Sequence, residues 1–124
     1  MTTRKELIDF CLGFPGAYED YPFDSTPESG SWTVMRHQKN KKSFALIYER
    51  EGRLCLNLKC DPPEADLLRQ AFCDVIPGYH MNKTHWNTVR TGGDLPDGEL
   101  RRMIAASYDL IKPKVRGPVT RELK

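Results

Sequence analysis

The sequence predicts an α+β fold: an antiparallel sheet of about five to six strands with helices packed mainly on one face. Three observations predict it. Three segments repeat apolar residues at helical spacing, near 3–12, 62–72 and 96–111. The segment RLCLNLK, 53–59, alternates apolar and polar residues as a half-buried strand does. The strand-like segments collect in two groups between the helices, so helices and strands are partly segregated along the chain.

Each element has its own local cause. Thr3 and Glu6 fit a capping box, with Leu7, Ile8, Cys11 and Leu12 behind it, so the first helix is expected over 3–12. Gly13, Pro15 and Gly16 end it. The proline- and acid-rich segment 14–31 is expected to hold a short strand at Ala17–Tyr21 and a loop through DSTPESGS. WTVMRH, 32–37, is β-rich, with Trp32, Val34 and Arg36 on one face and Thr33, Met35 and His37 on the other. SFALIY, 43–48, follows across the tip QKNKK, and EREG, 49–52, turns the chain again. In 53–59, Leu54, Leu56 and Leu58 are assigned inward and Cys55, Asn57 and Lys59 outward, completing a three-strand meander with one buried face.

Asp61 stands as N-cap of a second helix, with Pro62 at its first position and a buried stripe of Ala65, Leu68, Ala71 and Phe72. DVIPGYH reads as strand and turn, THWNTVRT as a strand, and GGD at 92–94 as a hairpin turn. The last helix is expected from Pro96 to Ile111, with Leu100, Met103, Ile104, Ser107, Tyr108 and Ile111 on one face. Lys112 and Pro113 stop it. Residues 1–112 are therefore expected to form a single domain and 113–124 a flexible C-terminal tail.

Composition narrows the function classes. A chain of 124 residues can bury roughly two-thirds of its unfolded surface and needs no disulfide staples. The net charge of +2 favours nucleic-acid contact only if folding gathers the cations on one face. Cys11, Cys55, Cys60 and Cys73 form no C-x-x-C pair, and MTTRKELIDF lacks the apolar run of a secretory signal. FALIY, the longest apolar run, is too short to cross a bilayer. The expectation is a cytoplasmic protein with free thiols, no membrane partner, and a monomeric state.

Two segments concentrate the chemistry. Arg36, His37, Lys39, Lys41 and Lys42 crowd one hairpin tip with no acid among them. Such a ribbon can reach phosphates, or it can be a solvated turn that protects a sheet edge. GYHMNKTHWNTV, 78–89, holds His80, Asn82, Lys83, His85 and Trp86. Alternation puts His85, Asn87 and Val89 on one side and Trp86, Thr88 and Arg90 on the other. Trp86 could stack on a base, pack on a sugar or fill the core.

Cys55, Cys60, His80 and His85 read C-x4-C…H-x4-H, superficially a zinc finger. The interval from Cys60 to His80 is longer than a finger's and already contains a capped helix, and Cys55 sits mid-strand. Cys60 or Cys73 beside a histidine would make a Cys–His pair. Cys60, just before a helix, is the better thiolate of the two, but buried inert cysteine is the commoner fate. No phosphate-binding glycine loop is present. The expectation is no metal, no cofactor and no catalytic constellation.

Several stretches together carry a family resemblance: FPGAYEDYPF, SFALIY, LNLKCDPPEADLLR, IPGYHMNKTHWNTV and LPDGELRRMIAASYDLI. In this order they resemble the MmcQ/YjbR family of small bacterial proteins, from about Leu7 to Lys112. The most specific pieces are Lys59-Cys60-Asp61-Pro62, Pro77 to Lys83, His85-Trp86 and Ser107-Tyr108. The resemblance implies a frataxin-like fold, also compared with double-wing DNA-binding domains, and a DNA-binding role assigned by fold. It implies no catalytic residue. Nor does it bring iron binding, since the first helix carries Arg4 and Lys5 beside Glu6 and Asp9.

The expected function is non-enzymatic DNA binding. Arg36, Lys39, Lys41 and Lys42 would contact phosphates and Lys59 and Lys83 would add charge, while His80, Asn82 and His85 would hydrogen-bond to backbone or base edges and Trp86 would stack. The alternative is a small-molecule or peptide binding module with a pocket around Tyr79, His80, His85, Trp86 and Asn57.

Overall fold

A computed structural model describes residues 3–23 and 31–114. The elements run α1 (Arg4–Leu12), β1 (Ala17–Asp20), β2 (Thr33–His37), β3 (Ser43–Arg50), β4 (Arg53–Lys59), α2 (Pro62–Ala71), β5 (Val75–Pro77), β6 (Trp86–Arg90) and α3 (Asp97–Ile111). The expected loop over 24–30 and the tail beyond 114 lie outside the described residues. The six strands form one antiparallel sheet in the order β1-β2-β3-β4-β6-β5. The helices cover one face, α1 against β1 and β2, α2 against β5 and β6, and α3 against β3 and β4. The α+β expectation holds, including helices on one face.

The core lies between helices and sheet. Leu7 and Cys11 of α1, Leu68 of α2 and Met103, Ile104 and Tyr108 of α3 meet Met35, Ile47, Leu56, Leu58 and Val89 of the sheet. The Thr3–Glu6 capping box forms as expected. Asp61 takes the N-cap position of α2, but its side chain makes no cap hydrogen bond.

Ser107 joins helix to sheet. Its hydroxyl donates to the Phe44 carbonyl at 2.6 Å and accepts the Lys59 N–H at 2.9 Å. The need arises at a register shift: Met35 pairs with Ala45 but Arg36 with Ser43, leaving Phe44 as an extra residue. The bulge turns Phe44 into the core beside Phe14 and Tyr108.

Several local expectations need correction. β3 continues to Arg50, and the turn shrinks to Glu51–Gly52, with φ of 54° and 78°. Two positive φ values suit a tight two-residue hairpin, which matches the twist of the flanking strands. GGD is no hairpin turn; it lies in the connection from β6 to α3. Ala71 is exposed, and Leu54 is only half-buried. Thr84 and His85 precede the strand, because Asn82 Oδ1 accepts both of their backbone N–H groups and curls the chain into a turn.

The largest correction concerns the helix-free face. Cys55 and Asn57, assigned outward, are 1% and 0% exposed. The connection between β5 and β6 folds back over this face at Asn57 and Thr88. A sheet with one wet face was the expectation; here the second face is partly covered, and that cover carries the site.

Candidate functional site

Tyr79 is where the second cover touches the sheet. Its backbone N–H donates to Thr88 Oγ1 at 2.8 Å and its carbonyl accepts Asn57 Nδ2 at 2.9 Å. Asn57 Oδ1 in turn accepts the Tyr48 hydroxyl at 2.7 Å and the Thr88 hydroxyl at 2.6 Å. Registered cross-strand neighbours supply the pieces: Leu46, Asn57 and Thr88 stand side by side on β3, β4 and β6, with Tyr48 one pleat along. Both ends of the Asn57 amide are satisfied, so the network fixes the loop at low desolvation cost. Burial pushes the Tyr48 hydroxyl up to about 12, so it remains a donor throughout the ordinary pH range.

Entry to this loop depends on Gly78. A Cβ there would come within 2.8 Å of Trp86 Cβ and 3.0 Å of its carbonyl oxygen. Only glycine lets the loop leave β5 so close to β6. Lys83 Nζ then closes the loop by donating to the Gly78 carbonyl at 2.8 Å. His80 follows Tyr79 with φ of 61°, a left-handed conformation costing a side-chain-bearing residue about 1 kcal/mol or more. That conformation swings the imidazole back against the Tyr79 ring, with centroids 4.0 Å apart.

Between this loop and the sheet lies a cleft of about 510 Å³, lined by Phe23, Trp32, Leu46, Tyr48, Glu49, Arg50, Tyr79, His80 and Met81. Its wall is an aromatic stack. Trp32 lies on Tyr48 at 4.0 Å and 7° between planes, Phe23 meets Trp32 nearly at right angles, and Tyr79 completes the group. The Arg50 guanidinium covers the Tyr79 ring at 4.1 Å. Among the described residues no carboxylate pairs with it. A stacked arginine keeps the edge of its fork free for an anion.

The sequence-predicted residues scatter. His80 lines the cleft; His85 and Trp86 do not. His85 is exposed and Trp86 half-buried, opposite Lys59 in register. Asn82 spends its carbonyl on the turn and Lys83 its ammonium on Gly78. Arg36 pairs with Asp20 at 2.8 Å. Lys39, Lys41 and Lys42 are exposed at the hairpin tip, with Lys41 lying 5.4 Å from the Tyr18 ring centre. His37 belongs to the core side, 7% exposed and stacked on Tyr108.

Sequence reading missed Trp32, Tyr48 and Arg50 as site residues. Alternation had placed Trp32 on the face opposite Met35, but pairing Trp32 with Tyr48 needs the β2–β3 register, which the Phe44 bulge offsets.

Burial, with Glu64 and Asp61 nearby, pushes the Cys60 thiol up to about 11. Cys55 is buried mid-strand. Among the described residues no three His, Cys, Asp or Glu side chains are grouped to hold a metal ion. Nor is any described helix long and apolar enough to cross a membrane.

Comparison with known proteins gives consistent matches. A family profile described as YjbR matches residues 12–110. The protein YjbR of Escherichia coli (strain K12) is 37% identical over 106 residues, covering 86% of this chain and 84% of that protein. YyaQ of Bacillus subtilis (strain 168) is 34% identical over 122 residues, covering 90% and 100%. Among solved structures, Deinococcus radiodurans protein DR2400 superposes with a TM-score of 0.80 at 32% identity, covering 99% of this chain and 88% of that one. A Pseudomonas syringae protein does so with a TM-score of 0.76 at 28% identity, covering 89% and 99%.

Proposed function

The chain belongs to the YjbR family, and we propose that it is a binding module for a small molecule or peptide, with its site in the cleft on the helix-free face of the sheet. One observation carries this reading: a cleft of about 510 Å³ with a stacked aromatic wall, held open by a satisfied buried network. Its volume falls in the range of small-molecule sites, roughly 300–1,000 Å³, and its lining combines apolar surface with a few fixed polar groups. The raised Cys60 thiol argues against thiolate chemistry at that residue.

Amide chemical-shift mapping with a set of aromatic fragments and short peptides tests the reading. Binders should move the amides of Trp32, Leu46, Tyr48, Arg50, Tyr79, His80 and Met81 together. Shifts centred on His85 and Trp86, or no saturable shift in the cleft, would overturn it.

A second reading, DNA contact, is favoured by the exposed Lys39, Lys41 and Lys42, none of which is ion-paired among the described residues. Phosphate contacts by three lysines would give modest, salt-sensitive affinity without sequence preference. Arg36 and Lys83, already committed to Asp20 and Gly78, add less to such a surface than their charges suggest. Replacing the three tip lysines by alanine should weaken duplex binding at low salt for all sequences alike. Unchanged binding removes this reading.

A further inference from the structure

We propose that the cleft seats a planar aromatic ring joined to an anionic group, with the ring against Trp32 and the anion at Arg50. This rests on the cleft being a binding site and specifies what it takes. Trp32 is half-exposed: Tyr48 covers one of its faces, and the surface left by Tyr48 and Phe23 lines the cleft. A flat ring added there extends an existing stack, and stacking of this kind selects planar π-systems over aliphatic ones.

The anion seat is argued independently. Of the arginines on the sheet, Arg36 is neutralised by Asp20, and Arg53 and Arg90 are both tied to Asp74. Arg50 has no such partner among the described residues, and its guanidinium lies over the Tyr79 ring at the cleft wall. His80 lines the same cleft, its backbone in the left-handed region and its ring against Tyr79. Among the described lining residues one acid, Glu49, stands at the rim and is exposed to water, where its repulsion is screened.

Spacing links the two seats. Trp32 stacks on Tyr48, and Arg50 is two residues farther along the same strand on the same face, its backbone roughly 7 Å from that of Tyr48 by strand geometry. Seats on neighbouring positions of one strand face suit a ring and an anion joined by a short linker, as in a nucleoside monophosphate. It also suits a fused-ring carboxylate.

Calorimetric titrations of the intact protein with four probes separate the possibilities: adenosine 5′-monophosphate, adenosine, inorganic phosphate and quinoline-2-carboxylate. At least one of the two ring–anion probes should bind about tenfold or more tighter than adenosine or phosphate. A preference for the monophosphate assigns the anion to a phosphate ester, and one for the carboxylate assigns it to a carboxylate. Arg50→Gln should abolish that tenfold advantage and weaken adenosine far less than the anionic probes. Trp32→Leu should weaken every ring-bearing probe. If adenosine binds as tightly as both anionic probes and Arg50→Gln changes nothing, the ligand assignment falls. The cleft still stands as a site if neutral fragments move its amides, and falls with the assignment if none does.

Discussion

Asn57 carries more of the site than any residue that lines it. It is fully buried on the face that alternation assigns to water, and its amide links Tyr48, Thr88 and the Tyr79 carbonyl. Asn57→Ala would leave the buried Tyr79 carbonyl and the Thr88 hydroxyl without their amide partner, with Tyr48 keeping its contact to Thr88, and should cost about 2–4 kcal/mol in urea unfolding. Tyr48→Phe, which leaves Thr88 to serve the same oxygen, should cost nearer 1 kcal/mol. Asp74 tells a different story, one of charge. Its carboxyl lies below the usual carboxylate range, chiefly because Arg53 donates to it, with the Asp94 N–H and Arg90 adding. A carboxyl whose folded pKa is depressed stabilises the fold above its unfolded value, and that contribution is lost as pH falls through the folded one. Asp74→Asn should therefore be destabilising at neutral pH, with the gap to the parent closing below about pH 4. Thiol labelling provides a third check. With its thiol near 11, Cys60 is thiolate only to about one part in ten thousand at pH 7, so exposed Cys73 should be alkylated first. Faster reaction at Cys60 would reopen the thiol alternative.

At the scale of elements, what was legible was whatever depends on neighbours in sequence. The capping box, the existence of β4 over 53–59 and the six-residue buried stripe of α3 follow local patterns, and each forms as expected, though the in–out alternation assigned to β4 does not. What was not legible depends on partners far along the chain. The Phe44 bulge is invisible until β2 meets β3, and the outward assignment of Asn57 fails because the chain at Tyr79 returns over it. Thr84 and His85 left the predicted strand for a similar reason, since one asparagine side chain outcompeted strand pairing. Ser107 ties the bulge to α3 by serving a buried carbonyl and a buried N–H at once. Ser107→Ala should thus cost about 2–3 kcal/mol in chemical denaturation, far more than an average surface change. A loss below about 0.5 kcal/mol would mean the bulge relaxes without it.

At the scale of the whole molecule, the sheet separates stability from recognition. One face is committed to three helices, and the other to a short loop, an aromatic stack and an arginine. The family and the α+β class were readable from motifs spread over the chain, and the matched profile agrees. Of the predicted site residues, Tyr79 and His80 reach the cleft, because they sit where the returning loop meets the sheet. Charge alone misled: a count of cations does not reveal that Arg36 and Lys83 are already engaged. Two tryptophans now give opposite tests of the two places a ligand could sit. Trp32 lines the cleft, and Trp86 lies outside it beside Lys59. The most direct measurement is tryptophan emission during titration with adenosine 5′-monophosphate, in Trp86→Phe and Trp32→Phe variants compared side by side. Saturable quenching in Trp86→Phe, lost in Trp32→Phe, is the predicted result. Quenching that persists in Trp32→Phe and vanishes in Trp86→Phe would contradict it.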